Sequence, residues 1–394
     1  MNNNILMSFH KLKNYCEAEN FKGWDPYDGL NSKLFQATPL KRSALDRLVL
    51  IQSFKRSPIN LRKFFRVSKQ YNAKGIALFL TGYCNLYHIS EKGNHDLGTP
   101  EELIEEINYL AELLISLQSK GYSGACWGYN FDWQARRLFL FPKETPTVVA
   151  TSFAVTALYK AYELTKNKKY LNIANSAGEF VLKDLHRTKK DKGFLFSYCP
   201  LEGNDTVYNA SLLGSKTLAL CYHYTGNEKY KEAAVESVKA CVDAQDDDGS
   251  WIYGELPVQN WIDSFHTGYN LEALAYYQKY TGDDTFKKEI DKGLKFYINN
   301  FFLNDGTPKY YHNKIYPIDI HCPGQLPVTL SVLGEMKDHK ELVDKVILWS
   351  INNMQDPKGF FYYQLKKGIS SKIPYMRWSQ AFMFYAMSFY FLKE

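Results

Sequence analysis

The sequence predicts an all-α fold, an (α/α)6 toroid of six inner and six outer helices with short β-hairpin loops on one face. Three observations carry that prediction. Amphipathic segments with one charged face recur along the chain, charge-poor apolar segments alternate with them, and a glycine–aromatic turn follows each amphipathic copy. The period is roughly 53–60 residues, the signature of a stacked supersecondary unit.

The amphipathic copies are residues 167–185, 227–245, 283–301 and 336–354. In the second, Tyr230, Ala234, Val238, Cys241 and Gln245 fall on one stripe at helical spacing, opposite mostly charged residues. Such a helix keeps one face wet. The turns that follow are "DKGFLFSY", "DDGSWIYG", "NDGTPKYY" and "DPKGFFYY", with an earlier copy in "GYSGACWGY". Glycine supplies the positive φ that stops a helix, and the alternating aromatics predict short strands. The charge-poor segments are 148–164, 207–226, 263–282, 319–334 and 376–392; they are apolar nearly all round, as helices buried on both sides must be. Upstream, Thr99, Pro100 and Glu102 form a capping box that opens an outer helix at 100–119. Residues 72–87 then read as the preceding inner helix and 43–54 as the first outer one. Residues 1–42 read as a loop-rich arm and 43–394 as a single toroid domain.

The 394 residues are 45% hydrophobic and 16% aromatic, enough for a large core with rings left over for stacking. The net charge of +6 looks spread out in short runs mixed with acids, which argues against nucleic acid and suits an anionic glycan. Seven cysteines, an odd number without a CxxC pair, predict a reducing compartment. The N-terminus lacks an apolar signal region, and the apolar stretch near the C-terminus is too short to span a bilayer. A cytoplasmic protein is expected, of no stated oligomeric state.

In a ring of this kind the long loops gather where the inner helices begin. Aligning those helices puts Thr151 and Ser152, Asn209, His266, His321, and Arg377 with Trp378 at comparable heights. Polar and aromatic residues recur there where apolar ones would pack better. Asp263 and His266 lie one helical turn apart, so the acid can orient the imidazole, and Asp263 is equally a good N-cap. Asp319 and His321 recur one repeat later, and Tyr269 lies nearby. The loops add Trp127, Tyr129, Asp132, Trp133, Arg136, Tyr198, Glu202, Asp205, Tyr208, Glu255 and Trp261, an aromatic and charged set suited to sugars. Cys126, His321 and Cys322 lack a recognisable zinc spacing, and no phosphate-loop, dinucleotide or nucleophile-elbow motif is present. No metal and no cofactor are assigned.

The stretches "DGSWIYGE", "NWIDSFHTGYNLEALAYYQKYTGD", "YPIDIHCPGQ" and "RWSQAFMFYAMSFY" resemble a family of cytosolic bacterial (α/α)6-toroid proteins found among surface-polysaccharide biosynthesis enzymes. The resemblance covers about residues 120–394 and extends to the helical domain of glucuronyl C5-epimerases, more distantly to toroid glycoside hydrolases and polysaccharide lyases. It implies a carbohydrate-active enzyme on an anionic, uronic-acid-containing oligo- or polysaccharide. On the C5-epimerase reading, His266 or Tyr269 takes a proton, His321 or a tyrosine returns one from the other face, and Arg377 or Arg136 neutralises the carboxylate. The alternatives are an inverting hydrolase using Asp263 with Asp132 or Asp319, a toroid lyase, and a non-catalytic glycan- or protein-binding toroid.

Overall fold

The computed structural model describes residues 2–135 and 140–392. Its helices are α1 Asn3–Ala18, α2 Lys33–Gln36, α3 Ala44–Arg56, α4 Ala73–Ser90, α5 Pro100–Ser116, α6 Val148–Thr165, α7 Lys168–Lys183, α8 Tyr208–Thr225, α9 Glu228–Asp243, α10 Ser264–Thr281, α11 Lys287–Phe301, α12 His321–Leu333, α13 Lys340–Met354 and α14 Ala381–Leu392. The even-numbered helices from α4 to α14 each pack on the next, and α14 returns to α4. They form a closed inner ring, almost wholly buried because they carry no continuous polar face. Helices α5, α7, α9, α11 and α13 cover it from outside. The fold is an (α/α)6 toroid. No helix among the described residues is long and apolar enough to cross a membrane.

The sixth outer helix is α1, which lies against α13 and α14. This corrects the expectation of an outer helix at 43–54 and of a loop-rich arm before it. Ile5, Phe9, Leu12 and Cys16 follow helical spacing and are fully buried in the main core, with the Phe9 ring 5.0 Å from Phe384 and 5.3 Å from Phe391. Helix α3 buries only Ile51 and Phe54, too narrow a stripe to line a ring. The repeating unit therefore begins with an outer helix, and residues 19–72 are the first and longest of the six loops that precede inner helices.

The turn glycines close the ring. Gly249 has φ +93°, and a Cβ there would meet the Lys292 carbonyl oxygen on α11 at 2.4 Å. Gly359 has φ +99° and approaches the Lys11 carbonyl oxygen on α1 to 2.2 Å by the same measure. Each turn thus rests on the backbone of the next outer helix, and α1 receives the last one. Among the described residues, strands are fewer than the aromatic alternation predicts. β1 (Trp133–Gln134) pairs with β2 (Leu140–Phe141), and β3 (Arg187–Lys189) with β4 (Phe194–Phe196), as hairpins. β5 (Ile318–Asp319) instead pairs with β6 (Gln364–Leu365) across two loops. Further neighbouring loops are tied by single bridges, such as Val207 to Gly254 and Asp263 to Tyr311.

Two outcomes test this architecture. Deleting residues 2–18 should abolish cooperative urea unfolding, because the α13–α14 groove loses its cover. Helices α8, α10 and α12 end in left-handed Gly226, Gly282 and Gly334, whereas α6 ends in Lys166 at φ 57°. Lys166→Gly should raise stability by about 0.5–1 kcal/mol in the same assay.

Candidate active site

The starts of the inner helices and the loops above them enclose a cavity of about 590 Å³, within the range of small-ligand sites. Asn209, His266, Tyr269, His321, Arg377 and Trp378 all line it, together with Tyr129 and Trp261 from the loops. The register read from the sequence thus brings these residues together. On α6 the wall is Val149 instead, because Thr151 turns away and its hydroxyl accepts the Trp127 backbone N–H at 3.1 Å. A π-helical turn, Met376–Gln380, opens the last inner helix, and both Arg377 and Trp378 of that turn reach the cavity.

The two expected acid–histidine pairs behave differently. Asp263 caps α10 by accepting the His266 backbone N–H at 3.0 Å, and its other oxygen takes the ring Nδ1 at 2.7 Å. A carboxylate can only accept, so the ring proton sits on Nδ1 and Nε2 carries the free lone pair. Asp319 stands two residues before His321 rather than three, so it accepts the His321 backbone N–H at 3.0 Å and leaves the imidazole alone. Its second partner is the Trp378 indole N–H at 2.8 Å. Asp263 likewise takes the Trp261 indole N–H at 2.8 Å. Both acids are buried behind the wall and hold its tryptophans in place. Burial pushes the Asp319 carboxyl up to about 6, with the Trp378 N–H opposing the shift.

His321 finds its partner on the next inner helix. Its Nε2 lies 2.6 Å from the Tyr269 hydroxyl, which accepts from Lys74 Nζ at 3.0 Å. Lys74, at the start of α4, is the residue sequence reasoning missed: a lysine inside an apolar segment reads as a helix former. It is buried against the rings of Phe153, at 4.4 Å, and Tyr269, at 4.9 Å. Burial drives its ammonium well below the usual lysine range, and the Arg377 charge adds to that. Burial also holds His321 well below the usual imidazole value, and the neighbouring Lys74, Arg377 and His266 push the same way. With Lys74 donating to the tyrosine oxygen, the tyrosine O–H is available to donate to His321 Nε2, and in that tautomer the His321 proton sits on Nδ1. That atom, and Oδ1 of Asn209, are buried without a hydrogen-bond partner among the described residues.

Arg377 is already bound. Asp25, from the first loop, grips it at 2.5 Å and 2.9 Å, with both side chains about 5% exposed. The carboxylate-binding role expected of it is therefore filled from within. Trp127 lies behind the wall, fully buried, its indole donating to the Leu114 carbonyl at 2.7 Å; Trp251 does the same to the Cys241 carbonyl two repeat units on, at 2.9 Å. Asp132 accepts the Lys143 backbone N–H at 2.7 Å and shapes the β1–β2 hairpin. Glu255 pairs with Lys190 outside the cavity. Arg136 lies outside the described residues. What remains is a wall of flat rings, with Tyr253 stacked on Trp261 at 4.7 Å and Tyr129 on Phe131 at 5.4 Å, and Glu202 as the one lining carboxylate among the described residues. Rings of this kind suit the apolar faces of sugars.

Asp25→Ala would strand a buried guanidinium. It should cost about 3–5 kcal/mol in denaturant unfolding, and Asp25→Leu combined with Arg377→Met should recover much of that loss.

No protein-family model and no curated protein sequence matches the chain. Its fold is similar to that of several solved structures. A cellobiose 2-epimerase from Bacillus thermoamylovorans aligns with a TM-score of 0.63 at 14% identity, covering 83% of this chain and 90% of that one. A family-76 α-mannanase from Bacteroides thetaiotaomicron aligns at 0.59 and 13% identity, covering 82% and 86%. A polysaccharide lyase aligns at 0.58 and 12% identity and covers 99% of this chain and 96% of its own. At these identities the likeness establishes the toroid.

Proposed function

We propose that this protein is a carbohydrate epimerase or isomerase that moves a proton at a sugar carbon next to a carbonyl. The observation that carries the reading is the pair of imidazoles, His266 and His321, on adjacent inner helices, each with its ring centroid 5.9 Å from that of Tyr269. Nε2 of His266, oriented by Asp263, takes the proton from carbon, and the electron pair moves onto the carbonyl oxygen as an enolate. Lys74, Tyr269 and His321 act as a hydrogen-bonded relay that returns a proton to the opposite face of the enolate, or to its neighbouring carbon. Trp261, Trp378 and Tyr129 stack on the sugar, and Asn209 accepts a hydroxyl.

Solved structures sharing the toroid include proteins named cellobiose 2-epimerase and D-mannose isomerase, a class of reaction that suits this geometry. Hydrolysis by two carboxylates suits it less, since Asp263 and Asp319 are committed to tryptophans and Asp132 to its hairpin. A uronate substrate is supported by the sequence resemblance, which also puts the sugar in surface-polysaccharide assembly in the cytosol; the Asp25-bound Arg377 favours a sugar without a carboxylate.

The test is deuterium incorporation from D2O into reducing disaccharides and uronate oligosaccharides, read by NMR. Exchange at one carbon is expected, and His266→Ala or His321→Ala should each lower it at least about 100-fold. Chain cleavage without exchange, or exchange indifferent to both substitutions, would sink the reading. Lys74→Met removes a positive charge that depresses His321. The His321 ring should then protonate at higher pH, and the acid limb of the pH–rate profile should move upward with it.

A further inference from the structure

The positive charge of this protein is not spread out. Residues 33–69 hold ten of the 48 Lys and Arg but only one of the 42 acids, Asp46. That is a net of +9 in one segment against +6 for the whole chain, so the rest of the molecule is net negative. The segment belongs to the first loop, and its Gln52 and Lys55 reach the cavity mouth.

The same segment exposes an unusual set of apolar side chains: Leu34, Leu40, Leu45, Val49, Ile59 at 69% and Phe64 at 74%. On α3 the outward stripe runs Leu45, Val49, Ser53 and Arg56, at helical spacing, while Ile51 and Phe54 face inward. Exposed Lys33, Lys41, Arg42 and Lys63 flank these apolar groups. Ile369, 74% exposed, lies on the last loop of the same face, and Lys366 of that loop donates to the Arg56 carbonyl.

We infer that this rim is a docking surface for an anionic lipid bilayer, which it meets with the cavity mouth facing the membrane. Two features of the chemistry select a bilayer. Basic side chains are drawn to an anionic headgroup layer, and interleaved Leu, Val, Ile and Phe gain by entering the headgroup–acyl boundary. Nucleic acid would reward the first feature and leave the second in water. The inference stands on the rim alone and is independent of the acid–base reading of the cavity.

The full chain should sediment with phosphatidylcholine vesicles containing phosphatidylglycerol, remain free with phosphatidylcholine alone, and release as salt is raised. Arg42→Glu with Arg56→Glu and Lys63→Glu should weaken vesicle binding at least about tenfold. Leu45→Ser with Val49→Ser and Phe64→Ser should do the same while leaving thermal unfolding in place, since all three are exposed; Phe64→Ser alone serves if the triple variant does not fold. Absence of phosphatidylglycerol-dependent binding by the unmodified chain overturns the inference. So does binding unchanged in both variants. So does tight binding of duplex DNA or RNA without vesicle binding, or a dimer in sedimentation that the serine variant dissociates without any vesicle binding.

Discussion

Everything in this molecule follows from six helices that have no polar side. A helix apolar all round must be covered all round, so the inner ring has to close and each member needs an outer partner. Five partners come from the helices that alternate with the inner set. The sixth comes from α1 at the far end of the chain, and Gly359, pressed against the Lys11 carbonyl, records that closure. Having supplied an outer helix, the chain must cross the mouth to reach α4. Residues 19–72 make that crossing, and so the first loop becomes part of the site.

The crossing is held by buried charge. Asp25 grips Arg377, and Asp28 lies 2.6 Å from Arg62, whose guanidinium also meets the Tyr375 hydroxyl at 3.0 Å. Burial pushes the Asp28 carboxyl up to about 6 in spite of Arg62. Ion pairs of this kind add little net stability, yet removing one partner is costly. Their effect is to specify where the segment sits. Lys74 differs: its nearest polar partner is a tyrosine hydroxyl and not a carboxylate. A buried cation without a counter-ion at hydrogen-bond distance is expensive, and such groups gather where chemistry needs them.

Much of the site was legible because inner-helix register is a one-dimensional property. Asn209, His266, His321 and Trp378 share a height in the repeat, and a ring turns equal height into convergence. The Asp263–His266 pair was legible for the same kind of reason: a spacing of three within one helical turn decides it. The Asp319–His321 pair was misread because a spacing of two directs the carboxylate to the backbone N–H. Partners far apart in sequence left no trace. Nothing near Arg377 points to Asp25, and nothing near Trp378 says that Asp319 behind it holds the indole.

Periodicity, charge-free faces and turn glycines by themselves determined the toroid, since they are local statements about which sides must be buried and where the backbone must reverse. The stripe Ile5, Phe9, Leu12 and Cys16 belonged to that same code. Only the tertiary structure decided which outer helix completes the ring, which carboxylate neutralises which arginine, and that Lys74, Tyr269 and His321, from three different inner helices, meet in one line of hydrogen bonds. Those outcomes depend on distances between segments remote in the chain, and pattern along a single sequence carries no information about them.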